Sequence, residues 1–242
     1  MFQNNLLMAA ASAGGYAINK SCTFNGSDEK MTRTWSASPT ANDVWSFSIW
    51  LERDASGIDG VFGPRIQSSR NGNVTFRSVN DIEFYNDNAS QTTMRTTTAT
   101  YTTTDWMHIF VTCDIPGGGS DAMEVYVDGT EITSFSQDYN QGGTGYAMNH
   151  ASTIFDLGTN RNATFAGQLA EFIWIDGSVI SISDVYDSGL PVDPSGLTFG
   201  DDGCHLNFED SSDLGKDVSG NGNDFALTNI DSSNQSTNVP PQ

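Results

Sequence analysis

The 242-residue sequence predicts an all-β sandwich of two antiparallel sheets, and three observations carry that reading. Short segments of apolar/polar alternation recur along the chain, separated by clusters of Gly, Asn, Asp, Ser and Pro that make turns. Long stretches rich in Ala, Leu, Glu and Lys, which would form helices, do not occur. The 14 Phe, 7 Tyr and 5 Trp supply bulk for one core, and the length suits one large sandwich better than two separate domains.

Taken in order, the first clear strand covers 44–51. Trp45, Phe47, Ile49 and Leu51 share one face, and Val44, Ser46, Ser48 and Trp50 the other. Residues 58–66 and 73–85 read as strands punctuated by Gly63-Pro64, Asn71-Gly72 and Asn80-Asp81. The Thr-rich 92–104 suits an exposed strand. The strongest pattern is 106–115, where Met107, Ile109, Val111, Cys113 and Ile115 alternate with Trp106, His108, Phe110, Thr112 and Asp114. Met123, Val125 and Val127 follow, and Asp128-Gly129 marks a tight hairpin turn. Residues 136–150 read as a long Gly-rich loop. Strands return at 153–159 and at 165–177, the latter apolar on both sides and therefore central. Residues 180–189 read as a short helical turn before an irregular stretch opened by Pro191 and Pro194. CHLNFED (204–210) and DFALTNI (224–230) close the chain.

Thirty acidic against ten basic residues give a formal charge of −20. Such a surface repels phosphate backbones and anionic lipid, which argues against nucleic-acid and membrane-surface roles. Cys22, Cys113 and Cys204 are odd in number and widely spaced, with no CxxC or Cys/His cluster, so neither a disulfide framework nor a zinc site is expected. That pattern fits folding in a reducing cytoplasm. Residues 6–13 (LLMAAASA) form an apolar run of small residues with no Lys or Arg before Lys20, and 1–19 is expected to act as an N-terminal arm.

Catalysis has little to anchor it. Glycosidases need two carboxylates flanking one cleft; the nearest candidates, Glu171 and Asp176, lie five residues apart, so a strand sends them to opposite faces. His108, His150 and His205 are far apart in sequence, with no Ser-His-Asp grouping or HExxH pattern, and His108 is expected to be a half-buried sheet residue.

Three stretches in order, CTFNGSDEKMTRTW with WSFSIWLERD, WMHIFVTCD with MEVYVDGTEI, and FAGQLAEFIWIDG, resemble the laminin-G/concanavalin A-like superfamily. The resemblance covers most of 20–190 and implies a jelly roll. HLNFEDSSDLGKDVSGNGNDFALTNI resembles the segment with which many such domains begin, yet it stands last here. The implied arrangement is permuted, a jelly-roll domain over 20–232 whose strand pair in 203–232 folds back to complete the sheets, with 233–242 as a C-terminal tail.

The N-terminal arm and the LGKDVSGNGNDF…STNVPP tail resemble proteins of marine tailed bacteriophages. That resemblance implies a non-enzymatic virion structural protein, made and assembled in the host cytoplasm and displayed as a capsid decoration, head fibre or tail-fibre component. Its partners would be other virion proteins and further copies of itself in a homo-oligomer. The alternative is a carbohydrate-binding adhesin that recognises host surface glycans. The family implies a rim calcium, for which Asp217, Ser219, Asn221, Asn223 and Asp224 have the oxygen density. Turn-making explains the same residues. For a sugar, the aromatic and amide side chains of Tyr139, Asn140, Tyr146, Asn149 and His150 offer stacking and hydrogen bonding.

Overall fold

The computed structural model describes residues 15–64, 71–87, 92–118, 122–140, 148–160 and 163–242. In chain order the strands are β1 (Ser21–Asn25), β2 (Lys30–Thr34), β3 (Val44–Arg53), β4 (Asp59–Pro64), β5 (Asn71–Phe76) and β6 (Ile82–Asp87). Then come β7 (Thr92–Thr97), β8 (Met107–Asp114), β9 (Met123–Val127), β10 (Thr130–Glu131), β11 (Phe135–Asn140) and β12 (Ile154–Leu157). The chain ends with β13 (Ala166–Asp176), β14 (Tyr186–Asp187), β15 (Leu190–Pro191), β16 (Cys204–Leu206), β17 (Ala226–Thr228) and β18 (Gln235–Ser236). One sheet runs β10-β9-β8-β3-β13-β1-β18, with β16 also on β13; the other runs β11-β7-β6-β5-β4-β12-β2-β17. Every named pairing is antiparallel, and the two sheets enclose one core in a jelly-roll sandwich.

Alternation in β3 does what its pattern requires. Trp45, Phe47, Ile49 and Leu51 point into the core, opposite Cys113, Val111, Ile109 and Met107 of β8. Trp174 of β13 stacks on Trp45 at 5.2 Å and on Trp35 at 5.7 Å between ring centroids. Phe47 meets Phe62 of the facing sheet edge-on at 4.6 Å, which ties the two layers together. As anticipated, β13 is buried on both faces: Phe172 and Trp174 belong to the sandwich core, and Ile173 and Ile175 to a second apolar cluster outside it. The cysteines Cys22, Cys113 and Cys204 are all free and buried.

The C-terminal segment completes both sheets. β16 takes over the edge of β13 where β1 leaves it, pairing Phe172 with Leu206 and Trp174 with Cys204, while β1 pairs Cys22 with Leu169. β17 extends the other sheet along β2, pairing Leu227 with Met31. Phe208 and Phe225 share the core that holds Phe24, and Phe225 stands edge-on to Trp35, Phe155 and Phe172.

Three expectations are corrected. The boundary at 232 falls short: a capping box over Asp231–Asn234 turns the chain so that Gln235 of β18 pairs with Cys22. Residues 233–242 are therefore packed structure, with Ser21 Oγ donating to the Asn238 carbonyl at 2.6 Å. The arm boundary at 19 is late, because Ile18 is buried against Trp50 and Ala170 and its amide donates to Gln242 Oε1 at 2.8 Å. The span read as a loop from 136 begins as strand β11, which pairs with β7 from Phe135 to Asn140 and takes Thr96 and Thr97 of the Thr-rich strand out of solvent.

Phe225→Ala removes a ring from this junction and is expected to cost ~3–5 kcal/mol. Urea denaturation should report it; a loss under 1 kcal/mol would show that the C-terminal strands close the sheets without stabilising them.

Candidate functional site

The outer face of the β3–β8–β13 sheet is covered by apolar side chains from later in the chain. Val185 and Phe199 lie over Phe110, Ile173 and Ile175, while Tyr186 and Val239 pack near Trp50. The covering segment ends in a two-residue hairpin joining β14 to β15, in which Ser188 has φ 52° and Gly189 φ 95°. The β9–β10 hairpin has the same character, with Asp128 at φ 48° and Gly129 at φ 72°. Positive φ at both central residues is the signature of a type I′ turn, the form whose twist matches a hairpin. A cleft of about 410 Å³ lies between these two turns, lined by Asp128, Gly129, Thr130 and Ile182 and by the Ser183–Gly189 side that includes Tyr186 and Asp187.

Tyr186 is the aromatic wall of this cleft. Its ring stacks on His108 at 4.8 Å and 19°, and on Trp50 at 5.6 Å. Gly129 is required opposite it, since a Cβ there would sit 2.4 Å from the Tyr186 ring. Asp128 is held twice by one residue: its amide donates to the His108 carbonyl at 2.9 Å, and its Oδ1 accepts from the His108 amide at 2.8 Å. Burial raises the Asp128 carboxyl above its ordinary value, partly offset by the His108 amide; burial and then Asp128 raise the Tyr186 hydroxyl.

His108 is fully buried, not half-buried as expected, because Tyr186 and Trp50 lie against it. Burial pushes its pKa down to about 3, so the ring is neutral at pH 7. Ser48 Oγ lies 2.8 Å from Nε2, but among the described residues Nδ1 has no partner and Asp128 binds the backbone amide, not the ring. With Ser48 itself buried, this Ser–His pair lacks both the orienting acid and the access that a nucleophilic site needs.

Glu171 sits in a bulge of β13, between Ala170 and Ile173, at φ 51°. The bulge turns its carboxylate to the outer face, where Oε1 accepts from Tyr16 Oη and contacts His205 Nε2. Burial and then Glu171 drive the Tyr16 hydroxyl far up. Asp176 lies on the other side, accepting from the amides of Thr40 (2.7 Å) and Asp202 (3.0 Å) and from Asn149 Nδ2 (2.6 Å). The two carboxylates thus anchor different parts of the fold and do not share a cleft.

The five residues proposed for calcium are gathered, but as a hydrogen-bonded turn. Asp217 Oδ1 accepts from the His205 and Ser219 amides, and Oδ2 from Ser219 Oγ and the Asn223 amide. Asp224 accepts from the Asp217 amide, and Asn221 and Asn223 donate to the Gly203 carbonyl. Among the described residues no group of three or more His, Cys, Asp or Glu is placed to hold a metal ion.

The described members of the glycan set, Tyr139, Asn149 and His150, do not share one surface. Tyr139 lies exposed on edge strand β11, whereas Asn149 is buried, donating to Ala41 O and Asp176 and accepting from Trp174 Nε1. Asn149 is thereby corrected from a ligand contact to a core residue. His150 Nδ1 lies 2.9 Å from the Ala151 carbonyl. Tyr146 and the Asn140 side chain lie outside the described residues. The short helical turn expected within 180–189 is present at Ile182–Asp184, but Tyr186 lies in the hairpin that follows it, for which the Asp-x-Gly spacing of Asp187 and Gly189 is the sequence signal.

No family model matches the chain, and no curated protein matches it. Among solved structures it is similar to a candidate carbohydrate-binding protein from Bacteroides ovatus, at 15% identity and TM-score 0.64, covering 93% of this chain and 62% of that one. It is also similar to domain 4 of an extracellular arabinanase from Geobacillus stearothermophilus, solved in complex with arabinotriose, at 18% identity and TM-score 0.51, covering 69% and 75%. A weaker likeness, TM-score 0.47 at 14% identity, joins 66% of this chain to 42% of a mouse laminin alpha1 structure of domains LG4-5. The chain therefore spans under two thirds of the Bacteroides protein's length.

Two outcomes follow from the site geometry. Gly129→Ala forces a Cβ into the Tyr186 ring at positive φ and is expected to lower stability by ~1–3 kcal/mol and to change the near-UV circular dichroism of the Trp50–Tyr186 stack. An unchanged spectrum would show that the ring is not fixed by this turn. His108, neutral when folded, takes up a proton in the unfolded chain at its ordinary pKa of 6.5. Its contribution is thus complete above pH 6.5 and lost as pH falls toward about 3. His108→Gln should flatten that part of the stability–pH curve in denaturant titrations, and an equally steep curve would contradict the assignment.

Proposed function

We propose that this protein is a non-enzymatic carbohydrate-binding module whose sugar site is the cleft between the two type I′ turns. The observation that carries the reading is the Tyr186 ring, braced from behind by His108 and Trp50 and set among oxygen-bearing side chains. Sugar recognition needs that pairing: an aromatic surface for the C–H face and fixed acceptors and hydroxyls for the ring substituents. Asp128 and Asp187 supply acceptors, and Thr130, Ser183 and Ser188 supply hydroxyls. The likeness to a candidate carbohydrate-binding protein and to an arabinotriose-bound domain supports it at the level of fold. Display on a bacteriophage particle, with this module turned to host glycans, is the setting we attach to it on the sequence resemblance of the chain ends alone.

A glycan array followed by calorimetry tests the reading. Tyr186→Ala, with its fold verified by far-UV circular dichroism, should weaken binding of the array hits about tenfold or more. Binding that survives this change intact, while a change at Tyr139 abolishes it, would move the site to the other sheet.

A further inference from the structure

Charge narrows the ligand that this cleft accepts. Among the residues lining it, two are aspartates and none is basic. Asp128 is pinned by the His108 backbone from two directions, so its carboxylate keeps one orientation with Oδ1 engaged. Asp187 sits on the opposite wall, where Oδ1 accepts from Ser188 Oγ at 2.9 Å. Among the described residues no cation shifts Asp128, whose carboxyl is raised by burial and lowered by a backbone amide. The arginines that the structure describes are committed elsewhere: Arg33 to Asp202, Arg53 to Asp59, Arg77 to Asp81 and Arg95 to Asp138. Lys216 is likewise paired, with Asp210. The surrounding chain carries a net charge of −20.

An anionic sugar entering this cleft would meet two carboxylates and no compensating cation among the described lining residues. Like charges brought this close without a counter-ion oppose binding, and the field of the whole protein adds to the penalty. A sugar bearing an ammonium group has the opposite experience. Its charge meets two carboxylates, of which Asp128 is held by the His108 amide, and the aromatic Tyr186 ring attracts cations. We propose that the cleft selects cationic amino sugars, of the protonated glucosamine type, over their neutral N-acetylated counterparts, and rejects uronic and sulfated sugars. This rests on the sugar-site reading of the cleft and adds its substrate class.

The test compares three soluble probes of matched length by calorimetry at pH 6: glucosamine oligomers, N-acetylglucosamine oligomers and galacturonate oligomers. The first should bind about tenfold more tightly than the second at low salt, with the third undetectable, and the advantage should shrink in 0.5 M NaCl. Asp128→Asn combined with Asp187→Asn should erase the advantage, bringing the glucosamine and N-acetylglucosamine oligomers to equal affinity. A control, Asp105→Asn with Glu131→Gln, removes two exposed charges outside the cleft lining and should leave the advantage in place. Equal binding of the two glucosamine probes, or an advantage that the control erases as well as the cleft variant, overturns the charge selection. If that happens while Tyr186→Ala still abolishes binding, the sugar site stands and only its charge selection falls. If no probe and no array glycan binds in a Tyr186-dependent way, the sugar site falls and this inference with it.

Discussion

The double burial of β13 is the constraint on which the rest of the molecule depends. This strand is paired along one side by β3 and along the other by β1 and β16 in succession, interrupted only at the Glu171 bulge, so the sheet takes up its backbone groups on either side of that bulge. Inward, Trp174 anchors a stack of rings from Trp35 through Trp45 that fills the centre of the sandwich. Outward, Ile173 and Ile175 present apolar surface that water would otherwise meet. A strand apolar on both faces needs cover on both, and an ordinary two-sheet sandwich supplies only one. The second layer here comes from the chain's own ends and from 177–200.

That need for cover creates the cleft. The covering segment must cross the sheet, turn tightly and leave, and the Asp187-Ser188-Gly189 turn lets it do so within a two-residue hairpin. Laying Tyr186 over His108 and Trp50 covers the outer face of β8 and β3, and it also leaves the covering hairpin standing opposite the β9–β10 turn. Neither wall is a flexible loop in the usual sense, since each is a type I′ turn whose conformation admits few alternatives. Rigid walls suit a ligand whose hydroxyls must be matched in direction, because little ordering remains to be done on binding.

Where local pattern decides structure, the sequence was legible. Strict alternation in 44–51 and 107–114, the Asp128-Gly129 turn and the two-faced apolar 166–176 all correspond to strands and turns in their expected places. The return of the C-terminal segment was legible too, from its out-of-order resemblance. What remained hidden depends on contacts across long separations. Nothing local in AEFIWID announces that Glu171 takes a left-handed backbone to meet Tyr16 and His205, 155 and 34 residues away. Tyr139, Asn149 and His150 looked alike as polar loop residues; Asn149 becomes a core group only because Trp174 and Asp176 need its two ends. Tyr186 was passed over for the converse reason. Its role comes from lying on Trp50 and His108, neither of which is near it in sequence.

The acidity of the chain carries a similar lesson about reading charge from composition. Many of its carboxylates act as acceptors for backbone amides. Asp184, Asp193, Asp217 and Asp231 organise turns or short helical caps, while Asp176 and Asp202 are buried acceptors that join 36–41 to the end of β13 and to the segment leading into β16. A protein built from many short strands has many turns, and aspartate is among the residues that close them by bonding the amide two positions on. The negative field is therefore in large part a by-product of how the jelly roll makes its corners. In the proposed sugar site such a corner leaves a carboxylate in the cleft wall, as at Asp128: the same side chain that fixes the turn through the His108 amide would serve there as an acceptor.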